Sequence, residues 1–467
     1  MITLPGIEGQ SYAVLGLGKS GLSVAASLRA SKAKPVLWDD NPTARAEAEK
    51  ADFAVVDLAT ANPKDFQALV LSPGIPHTHP APHSAVVKFR AAGVPIIGDI
   101  ELLFRASPQA TFVGITGTNG KSTTTALIGH ILKSARRKLQ VGGNLGTPAL
   151  SLEPLGADGI YVLELSSYQL ELIQQNLLKV AVLLNITPDH IDRHGGMEGY
   201  IAAKARIFET NTPQTLVIGT DEPETRALVL QARQKKNLHI EEISVQHPVA
   251  HGVMVAGQQM FSYTGEEEGG LITNLGTLPT LPGKHNWQNA CAAFAACRAL
   301  DVPTKQIVQG LKTFPGLAHR QQLVAEIEGV RFINDSKATN ADATGKALAC
   351  YDNIYWIIGG QAKEGGLKGL EEFGPRIRHA FIIGEASENF ASWCQANHLA
   401  HTLCGTLDIA VQKAAATAWK DKKPGAVVLL SPACASWDQF SNFEERGRMF
   451  TKFVETLSSV PQAKVLP

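Results

Sequence analysis

The chain has 467 residues, 44% of them hydrophobic and 18% charged, which is typical of a globular protein of several domains and excludes a disordered chain. Its 43 basic and 43 acidic side chains cancel, so we expect neither nucleic acid nor a membrane surface as a partner. Six cysteines without a C-x-x-C pair, and a start, MITLPGIEGQ, without signal-peptide features, predict a cytoplasmic protein.

The first part of the chain alternates short apolar runs with helical patterns. YAVLG, PVLWDD, FAVVDL, ALVLSPG and VPIIGD each predict a strand. Such alternation is typical of a doubly wound α/β unit with a parallel sheet. We therefore predict a Rossmann-like domain over residues 1–98.

A glycine loop follows the first predicted strand. Gly16, Gly18 and Gly21 form a G-x-G-x-x-G pattern, which allows a tight turn and brings the backbone close to a diphosphate at a helix N-terminus. Asp39 and Asp40 end the next strand, where an acidic residue meets a ribose hydroxyl. The pattern predicts a nucleotide-diphosphate site without identifying the nucleotide, and a turn without a ligand is the alternative.

Two more α/β series follow. TFVGIT, GIYVLEL and VAVLLNIT begin a central P-loop ATPase-like domain, residues 99–314, in which short strands at about 212–282 predict a small β annex on a mixed sheet. Pro315 and Gly316 mark a hinge. VRFINDS, IYWIIGG, HAFIIGE and AVVLLSPA then predict a C-terminal Rossmann-like domain, residues 315–467. The fold class is thus α/β with three domains.

A second glycine loop, in VGITGTNGKSTTT, predicts an ATP site. The strict pattern G-x-x-x-x-G-K-[ST] fails, because Ile115 stands at its first glycine. Gly117 and Gly120 still permit a nest of backbone N–H groups, Lys121 can reach the β- and γ-phosphates, and Ser122 can ligate Mg²⁺.

Metal candidates follow two other central strands. Glu164 ends a predicted buried strand, where a carboxylate is costly unless it meets a cation. NITPDHIDRH adds four side chains just past a strand end: Asp189, His190, Asp192 and His194. Lys204, between alanines on a predicted helix, is from the sequence alone expected to be a solvated lysine.

Further polar side chains follow later strands or lie on a helix. Asn286 and Asn289 share one helix face and suit a base or a sugar, and His319 and Arg320 lie beside the hinge. The third domain contributes one more set after its strands: Asp335, Ser336, Lys337, Thr339, Lys363, Ser436 and the backbone near Phe443.

The order of these motifs resembles the Mur ligases, ATP-dependent enzymes of peptidoglycan precursor synthesis. The resemblance covers essentially the whole chain, through GLGKSG, LSPGIP, GDIELL, GITGTNGKST, GGNLGTP, LELSSYQLE, NITPDHIDRH, AAKARIF, GKHNWQN, NDSKATN and LSPACASWDQF. The first three and the last resemble the family member that adds D-glutamate. The resemblance implies ATP-dependent addition of D-glutamate to UDP-N-acetylmuramoyl-L-alanine through an acyl phosphate, with two Mg²⁺ ions.

The resemblance also implies roles for individual residues. The UDP-sugar would contact Gly18, Lys19, Ser20, Asp39, Asp40 and Ser72. ATP would contact Gly117, Thr118, Asn119, Gly120, Lys121, Ser122, Thr123, Asn286, Asn289, Arg320 and Asp335. One Mg²⁺ would be held by Ser122 and Glu164, and the second by His190 and Lys204, the lysine being carbamylated by CO₂. The catalytic set would be Lys121, Asn144, Ser166, His190 and Lys204, and the D-glutamate pocket Lys337, Thr339, Lys363, Ser436 and Phe443.

Other functions remain open at this point. A Mur ligase for another amino acid is the nearest alternative, and the glycine-loop first domain argues against a folylpolyglutamate synthetase. An NAD(P)-dependent dehydrogenase would leave the second glycine loop unexplained, and a nucleotide-gated switch would leave the polar clusters of the third domain unexplained. The expected partners are UDP-N-acetylmuramoyl-L-alanine, D-glutamate and ATP, and we expect a monomer.

Overall fold

The computed structural model describes residues 1–144, 146–263, 270–362 and 365–459. The chain divides into two compact units, residues 1–278 with 284–314, and residues 279–283 with 315–467. The described strands form three sheets flanked by helices, so the α/β class with three sheets is confirmed. Among the described residues we find no helix with the length and apolar character that a membrane span requires.

The first sheet is parallel and carries the first glycine loop. Its strands are β1 (Ser11–Leu15), β2 (Lys34–Trp38), β3 (Ala54–Val55), β4 (Leu69–Leu71) and β5 (Ile96–Ile97). Its helices are α1 (Lys19–Ala30), α2 (Pro42–Lys50), α3 (Ser84–Ala91) and α4 (Asp99–Ala106). The strand order β3-β2-β1-β4-β5 puts the carboxyl end of β1 at the switch point of the sheet, where α/β proteins bind ligands.

The central sheet carries the second glycine loop. Its strands are β6 (Thr111–Thr116), β7 (Leu139–Gly143), β8 (Ile160–Glu164), β9 (Leu178–Leu183), β10 (Gln214–Gly219), β11 (Leu238–Ser244), β12 (Gly252–Ala256), β13 (Gln259–Ser262) and β14 (Gly270–Asn274). The helices of this region are α5 (Lys121–Ser134), α6 (Ser167–Glu171), α7 (Met197–Ala205), α8 (Pro223–Ala232), α9 (Lys284–Arg298) and α10 (Thr304–Thr313). The order is β14-β13-β12-β11-β10-β9-β6-β8-β7, and all strands run in the same direction except β13, which is antiparallel to both of its neighbours. The predicted β annex therefore continues the central sheet.

The middle of this sheet positions the site. Strand β6 pairs with β8 on one side and with β9 on the other, and the residues of β8 are all buried. These strands are nearly continuous apolar runs because a parallel sheet of this class is covered on both faces. The carboxyl ends of β6, β8 and β9 consequently meet at one edge, which brings together Gly117, Glu164 and Asn185.

The second unit contains the third sheet. Its strands are β15 (Gln322–Ile327), β16 (Val330–Asn334), β17 (Ile354–Gly359), β18 (Ile377–Ile383), β19 (His401–Gly405) and β20 (Val427–Leu430). Its helices are α11 (Ala341–Leu348), α12 (Ser387–Ala396), α13 (Leu407–Asp421) and α14 (Phe443–Ser459). The order is β15-β16-β20-β17-β18-β19, with only β15 antiparallel to its neighbour among these strands. The loops after β16, β17 and β20 are therefore neighbours.

Candidate active site

The loop between β6 and α5 is shaped by two glycines with positive φ. Gly117 has φ +149° and Gly120 has φ +85°, conformations that other L-residues rarely adopt. A Cβ at Gly120 would lie 2.3 Å from Oδ1 of Asn289, so a side chain there would push the loop away from α9. The backbone N–H of Thr118 donates to the carbonyl of Asn185 at 2.9 Å, which fixes the loop to the end of β9.

A series of hydrogen bonds through Asn185, Gln288 and Asp221 supports the same loop. Oδ1 of Asn185 accepts the backbone N–H of Asn119 at 2.8 Å, and Nδ2 of Asn185 donates to Oε1 of Gln288 at 3.1 Å. Nε2 of Gln288 in turn donates to Oδ2 of Asp221 at 2.8 Å. We call Asn185, Gln288 and Asp221 the amide relay. Sequence analysis missed these residues, although Asn185 follows β9 just as Glu164 ends β8.

Two lysines converge on one carbonyl of the loop. Nζ of Lys121 donates to the carbonyl of Gly117 at 2.9 Å, and Nζ of Lys204 donates to the same oxygen at 2.8 Å. Lys204 is 1% exposed. Burial, together with the charge of Lys121, holds the pKa of Lys204 well below its usual range, while Asp189 opposes the shift. The ammonium form of Lys204 is therefore less stable here than that of an exposed lysine.

The sequence-based expectation of a solvated Lys204 is wrong. Its neighbours Ala203 and Ala205 on α7 are buried at 3% and 8% exposure, and Tyr200, one turn earlier, is 1% exposed. The ring of Tyr200 lies 4.7 Å from Nζ of Lys204. The alanines let this face of α7 pack closely, which places the lysine inside the protein.

Glu164 is a buried carboxylate with one oxygen left open. It ends β8 at 3% exposure, and its Oε1 accepts from Nδ2 of Asn144 at 2.8 Å. Its Oε2 is buried without a hydrogen-bond partner among the described residues, as are the hydroxyls of Thr116 and Thr123. Such an oxygen is costly unless a cation binds it, and Mg²⁺ prefers oxygen ligands. The residues present therefore fit a magnesium ion.

Ser166 and His190 lie in the segments that follow β8 and β9. Ser166 caps α6, because its hydroxyl accepts the N–H of Gln169 at 3.2 Å. His190 has φ +52° and a half-exposed side chain, and its ring lies 5.4 Å from that of Tyr168. His190 is thus accessible to a ligand, whereas the hydroxyl of Ser166 already serves the helix.

Three further candidates come from this segment. Asp189 lies beside His190, with its Oδ2 3.5 Å from Nε2 of the histidine. Asp192 is exposed. His194 has a fully buried side chain whose Nε2 lies 2.9 Å from the hydroxyl of Ser167. Burial raises the pKa of Glu171, but hydrogen bonds from His194 and His77 outweigh burial and lower this pKa to about 2. Both ring nitrogens of His194 therefore lie within hydrogen-bond distance of protein side chains, Glu171 and Ser167.

Asn286 and Asn289 lie together on the first turns of α9. Both are buried, and Nδ2 of Asn289 donates to Oδ1 of Asn286 at 3.3 Å. Oδ1 of Asn289 also accepts from the hydroxyl of Thr124 on α5 at 3.2 Å. The predicted amide pair is therefore connected to the helix that follows the phosphate loop.

The first glycine loop is equally tight but less enclosed. Gly16 has φ +90°, and a Cβ at Gly21 would lie 1.8 Å from the carbonyl of Gly16. The hydroxyl of Ser72 donates to that carbonyl at 2.7 Å. No side chain caps α1, and its first turn holds no acidic residue, so its N–H groups suit an anion. The predicted diphosphate contacts lie at this end: Gly18, Lys19 and Ser20.

The two aspartates after β2 differ in their contacts. Oδ2 of Asp39 accepts the N–H of Leu17 at 2.6 Å, so Asp39 holds the glycine loop itself. Oδ1 of Asp40 lies 3.2 Å from Nε2 of His83, and the Asp40 side chain is 72% exposed. Asp40 is therefore the more accessible of the two predicted ribose ligands.

In the second unit, Asp335 follows β16 as a buried carboxyl. Its oxygens accept from the hydroxyl of Ser431 at 2.8 Å and from the N–H of Gln321 at 3.1 Å. Burial raises the pKa of Asp335 to about 7. The two hydrogen bonds and the charge of Arg320 lower this pKa but do not outweigh burial. Asp335 thus titrates near neutral pH.

An arginine that sequence analysis missed joins the loops of this unit. Arg446 is 1% exposed and donates to the hydroxyl of Ser336 at 3.0 Å and to the carbonyl of Cys434 at 3.0 Å. The Ser336 hydroxyl donates to the carbonyl of Phe443 at 2.8 Å, and Nζ of Lys337 lies 5.4 Å from the Phe443 ring. The one sequence signal for Arg446 is its position one turn into α14, next to the loop that ends at Phe443.

The remaining predicted residues of the third domain are placed as follows. Ser436 is 3% exposed and follows the segment that Arg446 binds. Thr339 is half-buried in the segment before α11. Lys363 lies outside the described residues.

Comparison with known proteins gives two family matches along the chain. Residues 10–98 match the Mur ligase MurD-like N-terminal domain, and residues 115–297 match the Mur ligase middle domain. These segments contain the first and second glycine loops.

Curated relatives extend the similarity to the whole chain. The UDP-N-acetylmuramoylalanine–D-glutamate ligase of Paramagnetospirillum magneticum is 51% identical over 97% of this chain and 98% of its own. The protein of the same name from Caulobacter vibrioides is 48% identical over 98% of each chain.

Solved structures share the fold at low sequence identity. The MurC ligase of Thermotoga maritima aligns with a TM-score of 0.57 at 16% identity, over 96% of this chain and 99% of its own. A MurF structure from Acinetobacter baumannii gives 0.57 at 17% identity, over 96% of this chain and 92% of its own. At these identities the likeness concerns the fold alone.

Proposed function

Because this chain belongs to the Mur ligase family, we propose that it joins D-glutamate to UDP-N-acetylmuramoyl-L-alanine and converts ATP to ADP and phosphate, as a step of peptidoglycan precursor synthesis. The observation that carries the proposal is the pair of lysines on the carbonyl of Gly117 beside a buried carboxylate, in the same unit as a second glycine loop. Two phosphate-binding loops match a reaction that uses both ATP and a UDP-sugar.

We assign each loop one nucleotide. The open N-terminus of α1 binds the diphosphate of the UDP-sugar, with Asp39 and Asp40 near the ribose. The loop from Gly117 to Gly120 binds the phosphates of ATP. Further contacts to ATP are assigned to four side chains: Asn286, Asn289, Arg320 and Asp335.

Two magnesium ions are assigned to the second loop. Ser122 and the open oxygen of Glu164 hold one, and His190 with a modified Lys204 holds the other. Bound Mg²⁺ supplies positive charge that reduces the repulsion between an anionic nucleophile and the phosphates of ATP. Asn144 keeps the Glu164 carboxylate oriented through its hydrogen bond.

The depressed pKa of Lys204 supports its carbamylation. A neutral amine has a free lone pair, which forms an N–C bond to CO₂ while one C=O electron pair moves to oxygen and the nitrogen releases a proton to water. The product is an anionic carbamate beside the ammonium group of Lys121. A cationic side chain thereby becomes an oxygen ligand.

The reaction then has two steps. An oxygen of the alanine carboxylate attacks the γ-phosphorus of ATP, and ADP leaves, which gives an acyl phosphate. The amine of D-glutamate attacks the acyl carbon, phosphate leaves, and the nitrogen loses its proton. Lys121 stabilises the charge on the transferred phosphoryl group. Positioning of the reacting groups is assigned to Asn144, His190 and Ser166, the last from its place at the start of α6.

The D-glutamate pocket is assigned to the second unit. Lys337 and Phe443 are in contact there, and Arg446 links the loops that carry Ser336 and Ser436. Lys337 supplies a cation for a glutamate carboxylate. Thr339, Lys363, Ser436 and Phe443 complete the proposed pocket. We also propose that the chain is a cytoplasmic monomer. Its domains are proposed to divide at residues 98 and 314.

Phosphate release from Mg-ATP tests this function. The purified chain receives UDP-N-acetylmuramoyl-L-alanine and, in separate reactions, D-glutamate, L-glutamate, L-alanine, L-lysine or meso-diaminopimelate. We expect release only when the UDP-sugar and D-glutamate are both present. Release with another amino acid would keep the ligase and contradict the specificity, and no release with any of them would contradict the ligase.

A further inference from the structure

A cluster of two histidines and one glutamate lies far along the central sheet from the phosphate loop. His239 and Glu241 belong to β11, and His251 immediately precedes β12. We call these three residues the annex triad, because β11 and β12 both belong to the region predicted as the β annex. The proposed ligase function uses none of them.

Strand register brings the three side chains together. His239 and Glu241 are two residues apart on one strand, so they point to the same face. Glu242 pairs with Gly252 in parallel register, and the N–H of Glu242 donates to the carbonyl of His251 at 3.0 Å. His251 therefore stands beside Glu241.

The distances suit a shared ligand. Nε2 of His239 lies 3.4 Å from Oε1 of Glu241, and the rings of His239 and His251 are 5.2 Å apart at 88°. One donor atom from each residue lies within 4.8 Å of the other two. Donor atoms around a tetrahedral Zn²⁺ at 2.0–2.1 Å are about 3.3–3.5 Å apart, so small rotations of the exposed imidazoles complete the geometry.

The carboxylate of the triad is held in place from its other side. The Glu241 side chain is 6% exposed, and its Oε2 accepts a hydrogen bond from Arg298 at the end of α9. Arg298 also donates to the hydroxyl of Ser262 on β13. Carboxylates that ligate metals are themselves commonly held by such outer hydrogen bonds. Oε1 thus faces the imidazoles.

We propose that His239, Glu241 and His251 bind a first-row transition-metal ion, Zn²⁺ above all, at a site separate from the magnesium ligands of the phosphate loop. Two imidazoles with one carboxylate suit Zn²⁺, whereas Mg²⁺ prefers oxygen ligands. Three protein ligands leave one position for water, and both histidines are exposed, so the ion enters from solvent. Since the ligands come from β11 and from the residue before β12, the ion stabilises the pairing of these two strands.

The test is a titration of the metal-free, full-length chain with Co²⁺ in millimolar Mg²⁺, followed by displacement with Zn²⁺. Co²⁺ reports its ligands through its visible absorption, and the excess Mg²⁺ competes for the phosphate-loop ligands. We expect one Co²⁺ per chain and displacement by one Zn²⁺. In the double variant His239→Ala/His251→Ala we expect the affinity for Zn²⁺ to fall at least about a hundredfold.

His398→Ala is the matched control, because it removes an exposed histidine of the second unit. We expect this control to bind like the wild type, and saturating Zn²⁺ to raise the melting temperature of both but not of the double variant. Phosphate release should stay at the wild-type rate in all three proteins, so the outcome is independent of the ligase assignment. Unchanged Zn²⁺ binding in the double variant, or no binding at micromolar Zn²⁺ in the wild type, would overturn the proposal.

Discussion

The loop after β1 and the loop after β6 both connect a buried parallel strand to a helix through glycines with positive φ. Gly16 plays this part in the first loop, and Gly117 and Gly120 play it in the second. Each loop also lies where neighbouring strands of its sheet present their carboxyl ends. The backbone design is therefore common to both.

The side chains around the two loops differ. The first loop is held by hydrogen bonds from Ser72 and to Asp39, and its helix opens to solvent at Gly18. The second loop has two lysine side chains, Lys121 and the buried Lys204, on a single carbonyl. The first arrangement suits the binding of a diphosphate. The second places Lys121 and the amine of Lys204 at a loop beside the buried carboxylate of Glu164, as suits a site for phosphoryl transfer.

The largest effect is expected from Lys204→Met, which would remove the buried amine that distinguishes the second loop. Turnover should fall by about 10²–10³-fold, since the proposed carbamate ligand is lost. Stability in CO₂-depleted buffer should rise, because a buried amino group is replaced by an apolar chain of similar length. Phosphate release and urea unfolding measure the two effects.

The pH dependence gives the same variant a second test. An unfolded lysine has a pKa of about 10.4, and burial lowers the pKa of Lys204 in the folded chain. At pH values between the folded and the unfolded pKa of Lys204, the unfolded state binds one more proton than the folded state. The free energy of unfolding of the wild type should therefore rise with pH relative to that of the variant. Lys133→Met, on the exposed side of α5, is the control. Full turnover in Lys204→Met would contradict the role of the lysine.

Glu164→Gln is expected to lower turnover by about 10–100-fold. The amide keeps an acceptor for Asn144 but removes the negative charge from the open oxygen. The Mg²⁺ concentration for half-maximal phosphate release should therefore rise, and a Mg²⁺ titration measures it. Glu198→Gln, an exposed carboxylate on α7, should leave that concentration unchanged. If Glu164→Gln needs the same Mg²⁺ concentration for half-maximal phosphate release as the wild type, Glu164 is not a magnesium ligand.

Asp39→Ala addresses the first loop alone. The Leu17 N–H would lose its acceptor, so we expect the KM for the UDP-sugar to rise about tenfold, while the KM for ATP stays constant. Steady-state phosphate release at varied concentrations of each substrate separates the two constants. Glu49→Ala, exposed on α2, serves as the control. Equal changes in both KM values would mean that the two loops are not specialised as described.

The smallest effect is expected from Gln288→Met in the amide relay. The substitution leaves Asn185 and Asp221 each with one hydrogen-bond partner fewer, which costs about 1–3 kcal/mol of stability. The loop at Asn119 should be held less firmly, so kcat should fall about threefold to tenfold. Gln309→Met on the exposed face of α10 is the comparison variant. A normal kcat with normal stability would show that the relay is unimportant.

Much of the fold follows from local patterns. Apolar runs such as TFVGIT and VAVLLNIT predict buried strands, and the glycines of both loops are recognisable because the turns need residues without a Cβ. The order of strands does not follow locally, since the placement of β6 between β8 and β9 depends on packing across the sheet. For the same reason, the sequence could not show that β10 to β14 continue the central sheet.

The site was predictable where one residue type and its neighbours suffice. Glu164 at the end of an apolar strand is such a case, and so is Lys121 after Gly120. The hydrogen bond from Lys204 to Gly117 spans 87 residues of sequence, and the one between Asn185 and Gln288 spans 103 residues. Contacts of that range come from tertiary packing, which a single sequence does not display.

One isotope experiment tests the central claim that the first loop's substrate reacts with the nucleotide of the second. UDP-N-acetylmuramoyl-L-alanine labelled with ¹⁸O in its alanine carboxylate is turned over with ATP and D-glutamate, and the released phosphate is analysed by mass spectrometry. Transfer through an acyl phosphate predicts one ¹⁸O in each phosphate formed. Phosphate without ¹⁸O, or formation of pyrophosphate and AMP, would contradict the account.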